Sequence, residues 1–388
     1  METHRHQPIV ILLIVLLIST LTLLIVLEIR IINSLSSPKV SREILKETVI
    51  VEVTSTPAPD PTSRPTVFPN SKNRLVFLSV WENEIYIINS DGSHLARVTS
   101  DGSEKLCPRW HPDGKRISYY APSHREGYYD LVIMDSDGEN REVLFQARLD
   151  KEYIKIPQWS SDGTKVTFAG RKKDSEKSHI YVFDGKTISR LTSSGAMERS
   201  PVWSPDGNKI AYISYHKDQA FHVVTAIDTI RSWLISELPA DSYSPVSWSP
   251  DGKYIAFSSD HNLYISEFGK LPNNEQQTMY EQGELKQPSW APTGDKIAYY
   301  FSPFHCCGSD IYALSTEKHN KLELQTSQIW AHSSHPIVWS PDGKSVVVVG
   351  DNNSKNWNLY KKNQGENKAV EITDSERRDA CPDWEPQK

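Results

Sequence analysis

The sequence lacks the motifs of the common hydrolases and nucleotide-binding enzymes. It has no G-x-S-x-G elbow for a serine nucleophile, no H-E-x-x-H zinc motif and no phosphate-binding P-loop. Four cysteines among 388 residues are too few for a fold built on disulfides. The net charge of −6 argues against a nucleic-acid surface, which needs a basic face. These absences favour a binding protein over an enzyme, and nucleic acid is not expected as a partner.

Charge is also missing from a long stretch near the N-terminus. Residues 8–27 are 20 residues without a charged side chain. As an α-helix they would span a hydrocarbon core of roughly 30 Å. No small-residue cleavage site follows, which favours an uncleaved anchor over an atypical signal peptide. We therefore predict one N-terminal transmembrane helix within residues 1–32.

Residues 33–72 follow the predicted helix and are rich in proline, serine and threonine. Proline removes backbone donors and favours extended polyproline II, so a semi-rigid stalk is predicted. Lysine and arginine around the span, counted alone, would place the following domain in the cytoplasm. Large domains cross membranes despite such charges, and stalks of this composition are typical of surface proteins. The expected location is the cell membrane, single-pass, with the domain on the extracytoplasmic side.

One motif, P-x-W-S-P-D-G with variations, recurs through residues 73–388. Its tryptophans are separated by 42 to 49 residues. Repeats of that period built from short strands are typical of a β-propeller, with one blade per repeat. One large ring at a fixed position in each blade suits packing between blades, so a structural role is predicted for Trp110, Trp159, Trp203, Trp248, Trp290, Trp339 and Trp384.

The two ends of the repeat region each carry an incomplete blade. Residues 74–99 supply the second, third and fourth strands of one blade, whereas residues 380–388 supply only a first strand. Unpaired sheet edges promote aggregation, and pairing the two pieces removes both edges. The predicted fold is therefore all-β: a seven-bladed β-propeller in which a composite of the first and last segments closes the ring.

Two segments, Ile85 to Thr99 and Cys107 to Tyr119, resemble the TolB-like propeller repeat. The resemblance covers about residues 73–388 and implies a propeller fold. The same repeat builds the propellers of prolyl-oligopeptidase-type peptidases and of many bacterial surface proteins. The resemblance therefore implies an architecture and not one particular function.

Ligands of propellers usually bind on one rim, where the loops entering the first strands meet the loops between second and third strands. That rim is predicted to hold seven of the thirteen histidines. Solvated loops also tolerate histidine, so a plain surface stays open as an alternative to a face that binds an anionic or carbohydrate ligand. The residues predicted for a binding rim are His124, His216, His261, His305, His332, His335 and Trp357.

Nitrogen and sulfur donors concentrate in two loops of this rim. Together they could hold zinc or another transition metal. The adjacent cysteines could instead form a Cys306–Cys307 disulfide, or stay free. The candidate metal ligands are His305, Cys306, Cys307, His332 and His335.

Cys107 and Cys381 occupy the same position of the repeat, three residues before a tryptophan. Their blades are neighbours in the closed ring, so a disulfide between them would lock the closure. The bridge requires Cα atoms within about 7 Å of each other. The sequence leaves both the bridged and the unbridged state open.

The favoured function is a non-enzymatic, membrane-anchored scaffold that binds a protein, peptide or glycan of the cell envelope through its loop rim. No cofactor is expected for this function. The alternative is a metal-dependent enzyme, of lyase or hydrolase type, that uses the rim histidines and a transition metal. A structural subunit of an envelope complex is a third hypothesis.

Overall fold

The computed structural model describes residues 73–387 except 150–155, 172–174, 176, 217–218, 229–230, 236–244, 270–275, 280–282, 304–308, 318–320, 323–329, 332–334, 352–355, 367 and 374–377. The predicted anchor, 1–32, and stalk, 33–72, lie outside the described residues. Among the residues that are described, no helix combines the length and the hydropathy needed to cross a membrane.

Within the described residues the strands form seven antiparallel sheets, one for each blade. The strands of blades one to four are, in chain order, β1 (Arg74–Ser79), β2 (Glu84–Asn89), β3 (Ala96–Arg97), β4 (Arg109–Trp110), β5 (Arg116–Pro122), β6 (Tyr129–Asp135), β7 (Glu142–Ala147), β8 (Gln158–Trp159), β9 (Val166–Arg171), β10 (Ser178–Phe183), β11 (Ile188–Arg190), β12 (Met197–Trp203), β13 (Lys209–His216), β14 (Gln219–Ala226) and β15 (Ser232–Leu234).

The strands of blades five to seven are followed by a last strand that returns to blade one. In chain order they are β16 (Ser247–Trp248), β17 (Tyr254–Ser259), β18 (Asn262–Glu267), β19 (Gln276–Met279), β20 (Gly283–Trp290), β21 (Lys296–Pro303), β22 (Asp310–Ser315), β23 (Lys321–Leu322), β24 (Trp330–Ala331), β25 (Val338–Trp339), β26 (Ser345–Asp351), β27 (Asn358–Asn363), β28 (Val370–Glu371) and β29 (Asp379–Trp384). In blade seven, β24 and β25 both pair with β26.

The last strand of the chain completes the first blade. The sheet has the order β29-β1-β2-β3, and Leu75 pairs with Trp384 across the junction. Just beyond it, Arg74 and Glu385 form a two-pronged ion pair: Nη2 lies 2.7 Å from Oε1 and Nε 3.0 Å from Oε2. The predicted seven-bladed, all-β propeller with composite closure is confirmed, whereas the described residues give no support for the predicted helix.

Tryptophans of the repeat hold neighbouring blades together. The indole Nε1 of Trp203 donates to the carbonyl of Gln158 at 3.0 Å. Trp384 donates in the same way to the carbonyl of Val338 at 3.1 Å. Both acceptors directly precede the tryptophan of the neighbouring blade in the sequence. Trp339 makes the same contact with the carbonyl of Ser289, so three of the seven repeat tryptophans are bonded in this way to the blade before them.

Aspartates of the P-D-G turns brace the backbone. In blade three, the Ser160 hydroxyl donates to Asp162 Oδ1 at 2.6 Å, and the Thr164 amide donates to the same oxygen at 3.0 Å. These hydrogen bonds stabilise the ionised carboxylate and lower the pKa of Asp162 to about 2. The motif aspartates therefore have a structural task.

Blade two has a histidine where most copies of the motif have serine. The buried His111 ring lies edge-on to the indole of Trp159, with centroids 4.5 Å apart. Its Nε2 is 3.0 Å from the carbonyl oxygen of Gly163, in the turn of the next blade. His111 therefore links two adjacent turns on the rim opposite the predicted binding face.

A side chain in place of the glycine that faces this histidine should destabilise the fold. A Cβ at Gly163 would lie 2.7 Å from His111 Cε1, and φ there is +71°. Gly269 is a matched control, because its φ is +87° and a Cβ added there would have no described residue within 4 Å. Both alanine variants carry roughly 1–2 kcal/mol of left-handed strain. We expect Gly163→Ala to lower the free energy of unfolding by about 1–3 kcal/mol more than Gly269→Ala does, because the new methyl group overpacks against His111. Thermal unfolding of the two variants measures the difference. Equal midpoints for the two variants would refute the contact.

Candidate binding site at the cavity mouth

A cavity of about 690 Å³ lies where the first strands of the blades converge. Every blade contributes to its lining, through residues that include Cys381, Arg109, Gln158, Val202, Ser247, Ser289 and Val338. The charged side chains among the described lining residues are Arg109 and Lys286, and none of those lining residues is a carboxylate. A protein with a net charge of −6 therefore has a cavity with cationic groups on its wall.

Each of the two cations in the cavity wall has a carboxylate as an ion-pair partner. Arg109 Nη1 lies 3.4 Å from Asp383 Oδ1, and Lys286 Nζ contacts the carboxylate of Glu284. Burial raises the pKa of the Asp383 carboxyl, against the opposing effect of the Arg109 guanidinium. The hydrogen bond from Lys286 lowers the pKa of Glu284. Neither cation is left without a counter-charge.

Four side chains, Trp81, His335, Trp357 and Arg378, form a group at the edge of this cavity, which we call the mouth cluster. The Arg378 guanidinium carbon lies 4.5 Å from the ring centroid of Trp357 and 5.7 Å from that of Trp81. The His335 ring, which also lines the cavity, is edge-on to Trp357 at 5.3 Å. Trp81 is 58% exposed, the most exposed large hydrophobic residue among those described.

The members of the mouth cluster come from loops on one rim. Trp81 follows β1 and Trp357 precedes β27, so both lie between the second and third strands of their blades. His335 precedes β25 and Arg378 precedes β29, so both lie in loops that enter first strands. Because successive strands are antiparallel, these two kinds of loop meet on the same rim. The cluster joins blade seven to blade one across the closure.

Backbone hydrogen bonds hold the cluster in place. The amide of Val80 donates to the carbonyl of Arg378 at 2.9 Å, and the amide of Asp379 donates to the carbonyl of Trp357 at 2.7 Å. Arg378 itself has a φ of +57°, in the left-handed region that non-glycine residues rarely adopt. The loops of the cluster are thus tied to one another next to a strained backbone position.

Arg378 differs from the other cations near the cavity. Among the described residues its guanidinium contacts two indole rings and no carboxylate, and its buried Nε has no hydrogen-bond partner. Stacking on aromatic rings contributes roughly 0.5–2 kcal/mol. Contacts with ring faces do not satisfy the N–H donors of a guanidinium, and among the described residues the buried Nε is left without a partner.

A disulfide lies directly under the cluster. Cys107 and Cys381 are joined, with Cα atoms 5.3 Å apart and a sequence separation of 274. The apolar group that contains both cysteines packs against Val80, Ile156 and Trp357. The bridge connects blade two to the closing strand β29 and supports one of the two tryptophans of the mouth.

Three of the predicted rim histidines lie in separate blades. His124 is exposed in the loop after β5. His216 ends β13, where its Nε2 is 3.1 Å from Ser214 Oγ. His261 lies in the hairpin after β17, with Nδ1 3.8 Å from a carboxylate oxygen of Glu284. Of the predicted rim residues that are described, only His335 and Trp357 belong to the mouth cluster.

The predicted metal site falls largely on residues outside the described ranges: His305, Cys306, Cys307 and His332. His335 is the described member of that set, and it is buried against Trp357. In the part of the chain that the structure describes, no three His, Cys, Asp or Glu side chains are grouped to hold a metal ion. The metal site and the Cys306–Cys307 disulfide stay predictions, which elemental analysis and a thiol count would test.

Comparison with known proteins now defines the family. The family model described as the TolB beta propeller domain matches residues 171–388, more than half of the chain. The chain belongs to this family. The predicted resemblance to the TolB-like repeat is thereby confirmed.

Individual relatives match less of the chain. The Tol-Pal system protein TolB of Desulfosudis oleivorans is 30% identical over 136 residues, which cover 34% of this TolB-family chain and 29% of that protein. The chain thus spans less than a third of that relative's length.

Solved structures agree in fold at low identity. TolB from Acinetobacter baumannii superposes with a TM-score of 0.53 at 17% identity, over 78% of this chain and 79% of that one. A puromycin-hydrolysing peptidase of Mycobacterium tuberculosis gives a TM-score of 0.59 at 14% identity, over 84% of this chain and 54% of that one. Because one is named TolB and the other a peptidase, these likenesses show the propeller fold and leave the function to the site.

Proposed function

We propose that this TolB-family propeller is a non-enzymatic scaffold of the cell envelope that binds a protein partner at the mouth cluster. The observation that carries the proposal is Trp81, an indole left 58% exposed in a cluster whose His335 lines a cavity of about 690 Å³. Protein interfaces are centred on tryptophan, tyrosine and arginine side chains seated in pockets. The mouth cluster combines two tryptophans and an arginine at the edge of such a pocket.

Rigidity of the cluster also supports binding. Two backbone hydrogen bonds and the Cys107–Cys381 bridge hold its loops before any partner arrives. A pre-formed site loses less conformational entropy on association than a flexible one, which favours affinity. Nothing about this geometry requires a reaction at the site.

An envelope location is part of the proposal. The matched relative is named as a component of the Tol-Pal system. A bridge between Cys107 and Cys381 suits an oxidising compartment. The uncharged run at residues 8–27 would anchor the propeller to the membrane from the extracytoplasmic side. Protease accessibility tests this placement in cells whose outer membrane, where there is one, has been opened while the cytoplasmic membrane stays intact: a propeller that is cleaved only after the cytoplasmic membrane is also disrupted would contradict it.

Peptide selection tests the binding site directly. The full chain in detergent is used to select from short random peptides displayed with free carboxyl termini. We expect Trp81→Ala to lower the affinity for the selected peptides by roughly tenfold or more, as for a binding hot spot. Tyr254→Ala is the control, because Tyr254 is an aromatic residue 38% exposed in blade five, outside the cluster.

Thermal unfolding shows whether a variant that binds peptides weakly is still folded. Both residues are exposed, so both variants should keep the wild-type midpoint within a few degrees. Peptides that bind both variants equally well would place the binding surface elsewhere. If the protein bound glycans on an array but no peptide, the ligand would be a sugar and the proposed protein partner would be wrong.

A further inference from the structure

We infer that the partner presents a carboxylate to Arg378, so that the mouth cluster recognises an acidic peptide segment. The inference rests on the proposed function and specifies the chemistry of the partner. It starts from a cation whose own protein supplies no counter-charge among the described residues. The neighbouring cations Arg109 and Lys286 both have carboxylate partners.

The chain itself shows what an arginine of this kind binds when an anion is available. Arg74 meets Glu385 edge-on, through Nε at 3.0 Å and Nη2 at 2.7 Å. This two-pronged contact uses the Nε edge of the guanidinium. The Nε of Arg378 is buried without a hydrogen-bond partner among the described residues, so a partner's carboxylate would meet the two Nη nitrogens, which are not among the buried atoms that lack a partner. Charge-assisted hydrogen bonds between a guanidinium and a carboxylate are among the strongest in proteins.

The tryptophans determine how an anion can approach. Trp81 and Trp357 lie over the guanidinium of Arg378, at 5.7 and 4.5 Å. Contacts with ring faces do not use the N–H donors of a guanidinium, so the Nη donors of the half-buried Arg378 side chain can meet an incoming group. The exposed part of the Trp81 indole would then cover the residue that follows the acidic side chain. A segment with a carboxylate beside an apolar or aromatic residue fits this arrangement.

Several carboxylates lie near the cluster. Asp379 directly follows Arg378 in the chain and is buried, with its amide bonded to the carbonyl of Trp357. Glu82 accepts a hydrogen bond from the Tyr86 hydroxyl at 2.5 Å. Asp383 and Glu284 hold Arg109 and Lys286. Asp374 and Glu376 lie outside the described residues. Asp374 and Glu376 could compete with a partner's carboxylate for Arg378, so the experiment includes variants of both.

The test is a double-mutant cycle between peptide and protein. Peptides selected on the full chain are synthesised as selected, with each Asp or Glu replaced by Asn or Gln, and with an amidated terminus. We expect one of these neutral forms to bind the wild type about tenfold to a hundredfold more weakly. Against Arg378→Gln, the charged and neutral forms should bind alike, which locates the carboxylate at that side chain.

Arg125→Gln is the matched control for charge and stacking. The Arg125 guanidinium lies 4.0 Å from the ring centroid of Tyr128, but it is exposed and belongs to the rim of blade two. Its replacement should leave the preference for a carboxylate unchanged. Arg378→Lys keeps the charge and removes the two-pronged edge, so an intermediate loss is expected if the geometry matters.

Several results would overturn the inference. Peptides that need Trp81 but bind equally well in charged and neutral form would keep the proposed function and remove the role of Arg378. Failure to select any peptide that needs Trp81 would remove both.

A third result would make Arg378 a structural cation. It would be seen if Arg378→Gln and the paired change Asp374→Asn, Glu376→Gln lowered the unfolding midpoint equally and left peptide affinity unchanged. The internal carboxylates would then be the partners of Arg378, and the inference would be wrong.

Discussion

Deletion of residues 380–388 is expected to leave no folded propeller. The deletion removes almost all of β29, so β1 loses its partner and blade one becomes a three-stranded sheet. It also removes the buried Trp384, which is hydrogen-bonded to Val338 of blade seven. Loss of one buried tryptophan side chain costs about 3–5 kcal/mol. With the strand pairing lost as well, the cost approaches the whole stability of roughly 5–15 kcal/mol.

A graded series of variants separates strand loss from loss of the chain end. Deletion of residues 387–388 leaves β29 whole and should have little effect. Glu385→Ala breaks the ion pair with Arg74, which is largely buried, and should cost about 1–3 kcal/mol. Only deletion of 380–388 should abolish the cooperative transition in circular dichroism and shift the protein to aggregates on size exclusion. A cooperative transition within a few degrees of the wild type would show that the ring does not need its closing strand.

The fold could be predicted from the sequence because its determinants are local and repeated. The local sequence of each P-x-W strand and P-D-G turn determines its conformation, and seven copies of this unit are compatible with few architectures other than a propeller. The closure needed one further step: two half-blades, residues 74–99 and 380–388, each leave an edge that only the other can cover. The pairing of the two pieces was predicted in this way, whereas the register, with Leu75 opposite Trp384, comes from the structure.

The site was harder to predict because it is assembled across the closure. His335 and Trp357 were identified from their rim loops, but Trp81 and Arg378 were missed. Trp81 and Arg378 are 297 positions apart in sequence, and only the meeting of blades seven and one brings them together. One signal was available: four of the eleven tryptophans lie outside the repeat motif, so the repeat itself does not account for them. They are Trp81, Trp233, Trp330 and Trp357.

Histidine content was a weaker guide than tryptophan placement. His261 has a φ of +67° and follows Asp260 at +46°, as in a two-residue hairpin with both central residues left-handed. Asp, Asn and His adopt that conformation more readily than most side chains. The turn alone can therefore account for a histidine at this position. The assignment of His124, His216 and His261 to a binding rim stays a prediction.

Replacing both Cys107 and Cys381 by serine is expected to lower the free energy of unfolding by roughly 5 kcal/mol, because the bridge closes a very long loop. The sequence separation is 274 residues. Reduction of the wild type should lower the midpoint to a similar extent, while the double variant should not respond to reductant. Denaturant unfolding of the full chain, with and without dithiothreitol, measures both effects.

The second cysteine pair provides the control. Cys306→Ser with Cys307→Ser removes the same number of thiols, but adjacent cysteines close almost no loop, so little stability should be lost. Four free thiols in protein purified without reductant would contradict the Cys107–Cys381 bridge.

The bridge should matter for binding as well as for stability. The apolar group around Cys107 and Cys381 packs against Trp357, which in turn stacks on Arg378. Loss of the bridge should therefore lower the affinity for peptides that bind at the mouth cluster, even at temperatures where the propeller stays folded. The Cys306 and Cys307 variant should bind them normally. If reduction lowered the midpoint without changing peptide affinity, the bridge would serve the closure of the ring alone, and the mouth cluster would hold its geometry without it.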